Sequence, residues 1–474
     1  VRGVWTTDRV RAAEQRVFTR VPESRLMRAA AFAVAGEVAA LLAERTGGVA
    51  GRRVALLVGA GNNGGDALWA GAFLRRRGVA VTAVLLAPER AHAEGLAALR
   101  RAGGRVGTEL VEADVVVDGI VGLSARGPLR PDAAALVERV SAPIVAVDLP
   151  SGADPDTGTI EGPAVHAEVT VTFGGRKPVH VVGPGAIASG WVRVVDIGLG
   201  AELGEPDAVL LDRAEVARAW PVPGPTDDKY SQGVTGVAAG SATYPGAAVL
   251  ASGAAVLATS GLVRYAGTAA EVVRTRWPES VATGSVTDAG RVQSWVVGPG
   301  LGTGKAGRGV VAEVLGAGVP VCVDADAITL LAADPALWDA RDPDTPVVLT
   351  PHDREFARIA GEVGSDRIGA TRQAARALGA VVLLKGNSTV VADPDGRVLV
   401  NQARSAWPAT AGSGDVLSGL IGALLASGMD PWLAAGCAAH VHELAAEIAA
   451  DGAPAPASHI VDAIPAAIRS VRAS

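Results

Sequence analysis

The sequence predicts an α/β protein made of two doubly wound domains, and three observations lead there. Short runs of β-branched residues alternate with Ala- and Leu-rich stretches along the whole chain. The runs are continuously apolar, the pattern of parallel strands covered on both faces. The length of 474 residues leaves room for two to three domains at about 150 residues each.

In the first half the strand-like runs fall at 54–58, 79–86, 114–117, 144–147, 169–173 and 192–195, with helix-compatible stretches such as 67–77 and 133–140 between them. Around 198–225 the pattern lapses into Gly, Pro and acidic residues, including PVPGPTDD at 221–228. A fresh series follows at 234–239, 295–297, 319–323, 347–349 and 381–384, then a hairpin-like stretch at 389–400 that turns on Pro394-Asp395-Gly396. Helical sequence runs from Asp415 onward. Domains are therefore expected at 1–205 and 206–474. No short-period repeat is present, which argues against a solenoid.

Composition excludes several classes. Apolar residues make up 49% and charged residues 19%, so a disordered chain is ruled out. A net charge of −6 gives no electrostatic case for binding nucleic acid. Cys322 and Cys437 are too few for a disulfide framework or a cysteine zinc site, which fits a reducing cytoplasm. Residues 1–15 carry Arg2, Asp8, Arg9, Arg11 and Glu14 and hold no apolar signal core. The longest apolar runs, 29–43 and 416–428, fall short of the roughly 18 residues of a spanning helix. A soluble protein is expected, with no membrane partner. The basic residues are 39 Arg and only 4 Lys, so each of Lys177, Lys229, Lys305 and Lys385 merits inspection.

Ligands of an open parallel sheet sit beyond the carboxyl ends of its strands. In the first half those ends run into GAGNNGGDAL (59–68), DGIVG (118–122), DLPSG (148–152) and FGGRKP (173–178). Asn62, Asn63, Asp66, Asp118, Asp148 and Ser151 are thereby expected on one rim. Gly59, Gly61 and Gly64 satisfy G-x-G-x-x-G, but the second strand leads into Leu86-Ala87-Pro88, with no acid to hold a ribose. The glycines would let backbone amides approach an anion. The carboxamide, carboxylate and hydroxyl oxygens suit a hard cation. The plainer alternative is that Asp118 and Asp148 only cap turns.

GNNGGD, VDGIVG with Arg126-Gly127-Pro128, VDLPSG and TFGGRKP resemble the NAD(P)H-hydrate epimerase domain over about residues 8–200. The resemblance implies a Rossmann-like domain. In it, Asn62, Asn63, Gly64, Gly65 and Asp66, with Gly122, Leu123, Ser124, Ala125, Arg126, Gly127 and Pro128, would bind the hydrated nicotinamide nucleotide. It also implies that Asp148 touches this substrate and handles the proton at C6, and that Asn63, Asp118 and Ser151 ligate potassium. Gly59-Ala60-Gly61 stands where Gly-Pro-Gly is usual, Leu149 where Ile is usual, and Val179-His180 where Gly is common. Lys177 is left open between a substrate phosphate and solvent.

In the second half, TAGSGDVLSG (410–419) places Gly412 and Gly414 before Asp415, at the start of an apolar helix. Free amides there would stabilise charge on a transferring phosphoryl group, and Asp415 could accept a proton from the attacking hydroxyl. An ordinary acidic helix start is the alternative. LKGNST (384–389) sets Lys385 just past a buried strand. VVGPGLGTG (296–304) and LTPHDREF (349–356) also follow strands; His352, near Glu355, is open between ligand contact and helix cap. Asp324 and Asp326 of DADA are open between metal or water binding and capping. GPGLGTGK is not a phosphate-binding P-loop, because Pro299 takes the first glycine's place and Ala306 follows Lys305.

DKYSQG, GSATYPGAA, GPGLG, DADA, TPHDREF, LKGNST and AGSGD are together similar to the ADP-dependent NAD(P)H-hydrate dehydratases of the ribokinase-like superfamily, over about residues 210–470. That resemblance implies contacts to hydrated substrate from Gly302, His352 and Asp415, with Ala248. It implies contacts to ADP, accompanied by magnesium, from Lys385, Gly386, Asn387, Ser388, Thr389 and Gly414. Asp227-Asp228-Lys229 replaces a more usual His-Lys pair. The whole chain then reads as a bifunctional nicotinamide-repair enzyme, acting on hydrated NADH or NADPH and ADP and expected as a homo-oligomer. The alternative is a vitamin or sugar kinase fused to a non-catalytic nucleotide-binding module.

Overall fold

The structure is a computed structural model that describes residues 2–259, 261–403 and 405–473. The chain divides into two compact units, one of residues 3–208 and one of residues 209–474 together with Arg2.

The first unit is built on a seven-stranded sheet of β1 (Arg53–Val58), β2 (Ala80–Leu85), β3 (Arg105–Gly107), β4 (Val115–Gly119), β5 (Ile144–Val147), β6 (Val169–Phe173) and β7 (Trp191–Val195). The spatial order is β3-β2-β1-β4-β5-β6-β7, and every pair is parallel. Chain direction across the sheet reverses between β1 and β4, where a crevice opens at the carboxyl ends. In β1, Val54, Leu56 and Val58 enter one apolar cluster while Ala55 and Leu57 enter another. Burial on both faces is what made these strands continuously apolar.

Three helices matter for the site: α1 (Thr7–Phe18), α2 (Glu23–Thr46) and α3 (Asn62–Arg76). The apolar run at 29–43 is the middle of α2, a 24-residue helix that by length and composition alone could cross a membrane. Its apolar character has a closer cause. Ala30, Ala31, Val34, Ala35, Val38 and Leu42 are each at most 2% exposed and pack into the core that β1 and α3 share.

The second unit's strands are β8 (Ala208–Leu210), β9 (Val234–Ala238), β10 (Leu262–Ala266), β11 (Val281–Thr283), β12 (Ser294–Val297), β13 (Val321–Val323), β14 (Val347–Leu349), β15 (Val381–Leu384), β16 (Ser388–Ala392) and β17 (Val398–Gln402). Their order is β8-β17-β16-β15-β14-β13-β12-β9-β10-β11. β16 runs antiparallel to both neighbours, forming the expected hairpin with β17. The remaining pairs are parallel. The Gly- and Pro-rich lapse proves to contain β8 and a short helix, Arg213–Ala219, which opens on a reciprocal Asp212–Glu215 cap.

Five helices of this unit are used below: α4 (Pro245–Ala258), α5 (Asp353–Ala360), α6 (Ser413–Ala426), α7 (Pro431–Ala450) and α8 (Ala457–Arg472). α6 is buried without a break from Val416 to Ala426. It lies so close to α4 that a Cβ on Gly419 would fall 2.2 Å from the Ala251 carbonyl oxygen. Both cysteines, Cys322 on β13 and Cys437 on α7, are free and fully buried.

Candidate active sites

In the first unit the β1–α3 turn passes under the β4 end at minimal distance. A Cβ on Gly64 would fall 2.3 Å from the Gly59 carbonyl oxygen, and one on Gly59 would fall 1.8 Å from that of Ile120. These glycines are required by packing before any ligand is considered. The Asn63 amide group donates from Nδ2 to the carbonyls of Val121 (2.9 Å) and Val147 (2.6 Å). Its oxygen is thereby turned toward Gly122, where a Cβ would lie 2.8 Å from it.

Asp118, at the end of β4, accepts from Ser151 Oγ at 2.7 Å and the Ile120 amide at 3.1 Å on one oxygen, and from the Ser151 amide at 2.9 Å on the other. Burial pushes its carboxyl up to about 6, against the pull of the Ser151 and Ile120 hydrogen bonds. Ser151 Oγ in turn accepts from the Val121 amide at 3.2 Å, so Asn63, Asp118 and Ser151 belong to one network of oxygen donors. The partners of Asp118 are neutral, and a hard cation fits a donor set of this oxygen chemistry.

Asp148 takes a left-handed backbone conformation (φ 67°), which costs a non-glycine residue roughly 1–2 kcal/mol. The surroundings hold it there. Its amide donates to the Val171 carbonyl at 2.8 Å, and its carbonyl accepts from His180 Nε2 at 2.8 Å. His180 Nδ1 accepts from the Lys177 amide at 3.0 Å, which fixes the tautomer, and burial pushes the ring down to about 3, so it is neutral. Lys177 is 1% exposed and places Nζ 2.6 Å from Asp148 Oδ1, also donating to Thr172 Oγ1 and the Phe173 carbonyl. Thr172 Oγ1 donates to the same carboxylate oxygen at 2.9 Å. Burial alone would raise the Asp148 carboxyl; the Lys177 ammonium and these hydrogen bonds hold it below the ordinary range. Lys177, left open between phosphate and solvent, is shut off from solvent and is the buried counter-ion of Asp148.

Two cavities open on this rim. One of about 430 Å³ is lined by Asn62, Asn63, Asp66, Gly122, Leu123, Ser124 and Asp148, with Glu14 of α1 and Lys177. The other, about 440 Å³, is lined by Gly122, Ser124, Ala125, Arg126, Gly127 and Pro128, and shares Gly61, Gly122 and Ser124 with the first. Arg11 of α1 steadies the shared loop by donating to the Leu123 carbonyl at 2.7 Å. Of the residues expected to bind substrate, Gly64 and Gly65 line neither cavity; Gly65 packs toward Met27 and His92. Glu14 carried no sequence signal, because α1 precedes the motifs in sequence and meets them only in the fold.

In the second unit Asp415 sits in the first turn of α6, behind Gly412, whose φ of 86° makes the turn into the helix. Ser413 Oγ pairs with the buried His442 Nε2 at 2.9 Å. At the end of β13, Asp324 accepts from Lys385 Nζ at 2.7 Å on one oxygen and from Ser418 Oγ at 2.7 Å on the other. A Cβ on Gly414 would lie 3.5 Å from Lys385 Nζ, so the AGSGD turn and the LKGNST loop converge. Burial pushes the Asp415 carboxyl up to about 7; Asp324 and Asp326 add to the rise and Lys385 opposes it. The Lys385 ammonium is disfavoured by burial, but Asp324 and Glu355 hold its value above the ordinary one.

The remaining predicted residues divide. Gly302 donates its amide to Asp326 at 2.8 Å. His352 caps α5, accepting at Nδ1 from the Arg354 and Glu355 amides while Glu355 accepts from the His352 amide. Its side chain is still half-exposed and shares a cavity of about 400 Å³ with Lys385. Gly386 and Asn387 are exposed, Ser388 is buried, and Thr389 donates to the Gly386 carbonyl at 3.3 Å. Ala248 has no exposed surface and packs in the apolar core. Asp324 is the counter-ion of Lys385. Lys305 is exposed, and Asp227-Asp228-Lys229 forms an exposed turn in which Asp228 accepts from the amides of Tyr230 and Ser231.

Residues 235–466 match the family model described as NAD(P)H-hydrate dehydratase, and residues 23–179 match the one described as YjeF-related protein N-terminus. The chain is 57% identical over 435 residues to a bifunctional NAD(P)H-hydrate repair enzyme of Mycobacterium tuberculosis, with 90% of each chain covered. It is 55% identical over 460 residues to the enzyme of the same name from Mycobacterium leprae, with 96% of each covered. Among solved structures, the ADP/ATP-dependent NAD(P)H-hydrate dehydratase from Bacillus subtilis, co-crystallised with ATP and Mg2+, is similar at a TM-score of 0.50 and 27% identity. That likeness covers 56% of this chain and 99% of the other.

Proposed function

The chain belongs to the family of bifunctional NAD(P)H-hydrate repair enzymes, and from that premise we propose how its two units divide the work. The first unit interconverts the R and S epimers at C6 of hydrated NADH or NADPH. The second dehydrates the S epimer to NAD(P)H while ADP becomes AMP and phosphate.

Asp415 carries the reading of the second unit. It stands in the first turn of α6, close to the loop that holds Lys385. There it takes the proton of the C6 hydroxyl as that oxygen accepts the β-phosphoryl group of ADP. Amides of the AGSGD turn and Lys385 stabilise the charge on the moving group. Phosphate then leaves C6 with its bonding pair, the N1 lone pair assists, and loss of a proton from C5 restores the dihydronicotinamide ring. Lys385, Gly386, Asn387, Ser388, Thr389 and Gly414 hold ADP, whose charge magnesium would offset; Gly302 and His352 border the hydrated substrate.

In the first unit the two adjoining cavities take the hydrated nucleotide, and Asp148 works on its C6 hydroxyl. Asn63, Asp118 and Ser151 would hold potassium, which would supply positive charge to this site. The free thiols suit a reducing cytoplasm, and a homo-oligomer is the expected assembly.

The test is to give the full chain a mixture of both epimers with ADP and follow the near-ultraviolet absorbance of the reduced ring. Recovery of the whole mixture, with AMP formed in step, is expected. Recovery of the S share alone would sink the epimerase reading, and transfer of phosphate to a vitamin or sugar without ring recovery would sink the dehydratase reading.

A further inference from the structure

We propose that Asp66 is a second catalytic carboxyl of the first unit, the proton donor that works with Asp148 at C6 of the hydrated nicotinamide. The inference rests on the epimerase reading above. Asp66 and Asp148 line the same cavity, yet their surroundings are opposite in character. Asp148 is ion-paired with Lys177 at 2.6 Å and faces the neutral His180 ring. Asp66 is 6% exposed, and its Oδ1 is buried with no hydrogen-bond partner among the described residues.

Asp148, Glu14 and Glu23, all carboxyls, line the cavity with Asp66, as do the cations Arg11 and Lys177, the latter ion-paired with Asp148. Burial first, and the three carboxyls after it, hold its carboxyl well above the ordinary range. The N-terminus of α3 favours negative charge, but Asp66 lies beyond the first turn, where that influence fades. One carboxyl kept ionised beside another kept protonated is how a single cavity separates base from acid.

The step balances as an exchange of hydroxyl. Asp66 gives its proton to the C6 hydroxyl, the C6–O bond breaks, the N1 lone pair forms N1=C6, and water leaves. A water on the other face bonds to C6 as its proton passes to the Asp148 carboxylate, and the N1=C6 pair returns to N1. One proton has left Asp66 and one has reached Asp148; exchange of both carboxyls with solvent water restores the starting state for the next turnover. The same steps in reverse convert the other epimer.

The experiment uses the full chain without ADP, a single purified epimer, and water enriched in oxygen-18, with the epimers separated by chromatography and weighed by mass spectrometry. Wild type should incorporate one labelled oxygen per conversion. Its rate should fall at acid pH as Asp148 gains a proton and at alkaline pH as Asp66 loses one. Asp66→Asn should slow conversion at least about 100-fold, the usual scale for a lost general acid, and abolish the alkaline limb, with nucleotide affinity within a few-fold of wild type. Asp66→Glu should restore part of the rate. Conversion by Asp66→Asn within about tenfold of wild type, an unchanged alkaline limb, or a product that keeps its original oxygen overturns the proposal. Should Asp66→Asn fail to fold, the wild-type alkaline limb and label uptake still decide. A wild type that leaves the epimer unconverted defeats the epimerase reading itself.

Discussion

Asp415 must lose its own proton before it can take one from an alcohol, and burial works against that. With its carboxyl pushed up to about 7, dehydration of the S epimer should rise with pH through a midpoint near that value. Asp415→Asn should remove the dehydration, by a factor of roughly 100 or more. The same burial gives a stability prediction of opposite sense. A carboxyl whose folded value lies above its unfolded one stabilises the fold while neutral, and that contribution is lost as pH rises through the folded value. Asp415→Asn should therefore melt higher than wild type by a few degrees at about pH 8, with the gain vanishing near pH 4, in paired thermal melts. In the first unit, Lys177→Met would strand the Asp148 carboxylate in the interior, at a cost of about 3–5 kcal/mol, visible as a lower melting transition and lost epimerisation. The scarcity of lysine marked Lys177 and Lys385, but their partners lie 29 and 61 positions away. Sequence alone cannot supply pairings made by strand ends.

At the scale of elements, α6 and α4 touch backbone to side chain with no room between them. Gly419→Val would drive a methyl-bearing carbon into the Ala251 carbonyl, and overpacking of this kind costs typically 1–3 kcal/mol. Urea titration of the second unit should show it as a lower midpoint, while epimerisation by the first unit continues. The central strands were legible because both of their faces are buried, so the apolar run is unbroken. β3, β10 and β11 were not, because strands at or near a sheet edge are partly exposed: Arg105 and Val106 of β3 are open to solvent, and so is Val281 of β11. β8 was hidden for another reason, being three residues long inside a Gly- and Pro-rich stretch. The motifs at strand ends were the most legible feature, since tight turns restrict residue type more strongly than helices do. The capping role of His352 belongs to the same scale, because a capping box is a local pattern, whereas the burial of Ala248 depends on helices that pack from far along the chain.

For the whole molecule, the division into two units predicts separable defects. Asp148→Asn should still convert the S epimer with ADP and leave the R epimer untouched; Asp415→Asn should equilibrate the epimers and form no NADH. Mixing the two variants should recover full conversion of an epimer mixture, measured by ring absorbance. If the mixture fails where each variant shows its remaining activity, the two steps cannot share a freely diffusing intermediate. The second unit also carries an internal clock. Cys322 and Cys437 are the chain's two thiols, both shut inside this unit, and burial raises both above the ordinary thiol value, Cys437 to about 12. A maleimide should leave the native protein unlabelled, and the pace of its uptake should count the openings of this unit alone, without any tag or added fluorophore.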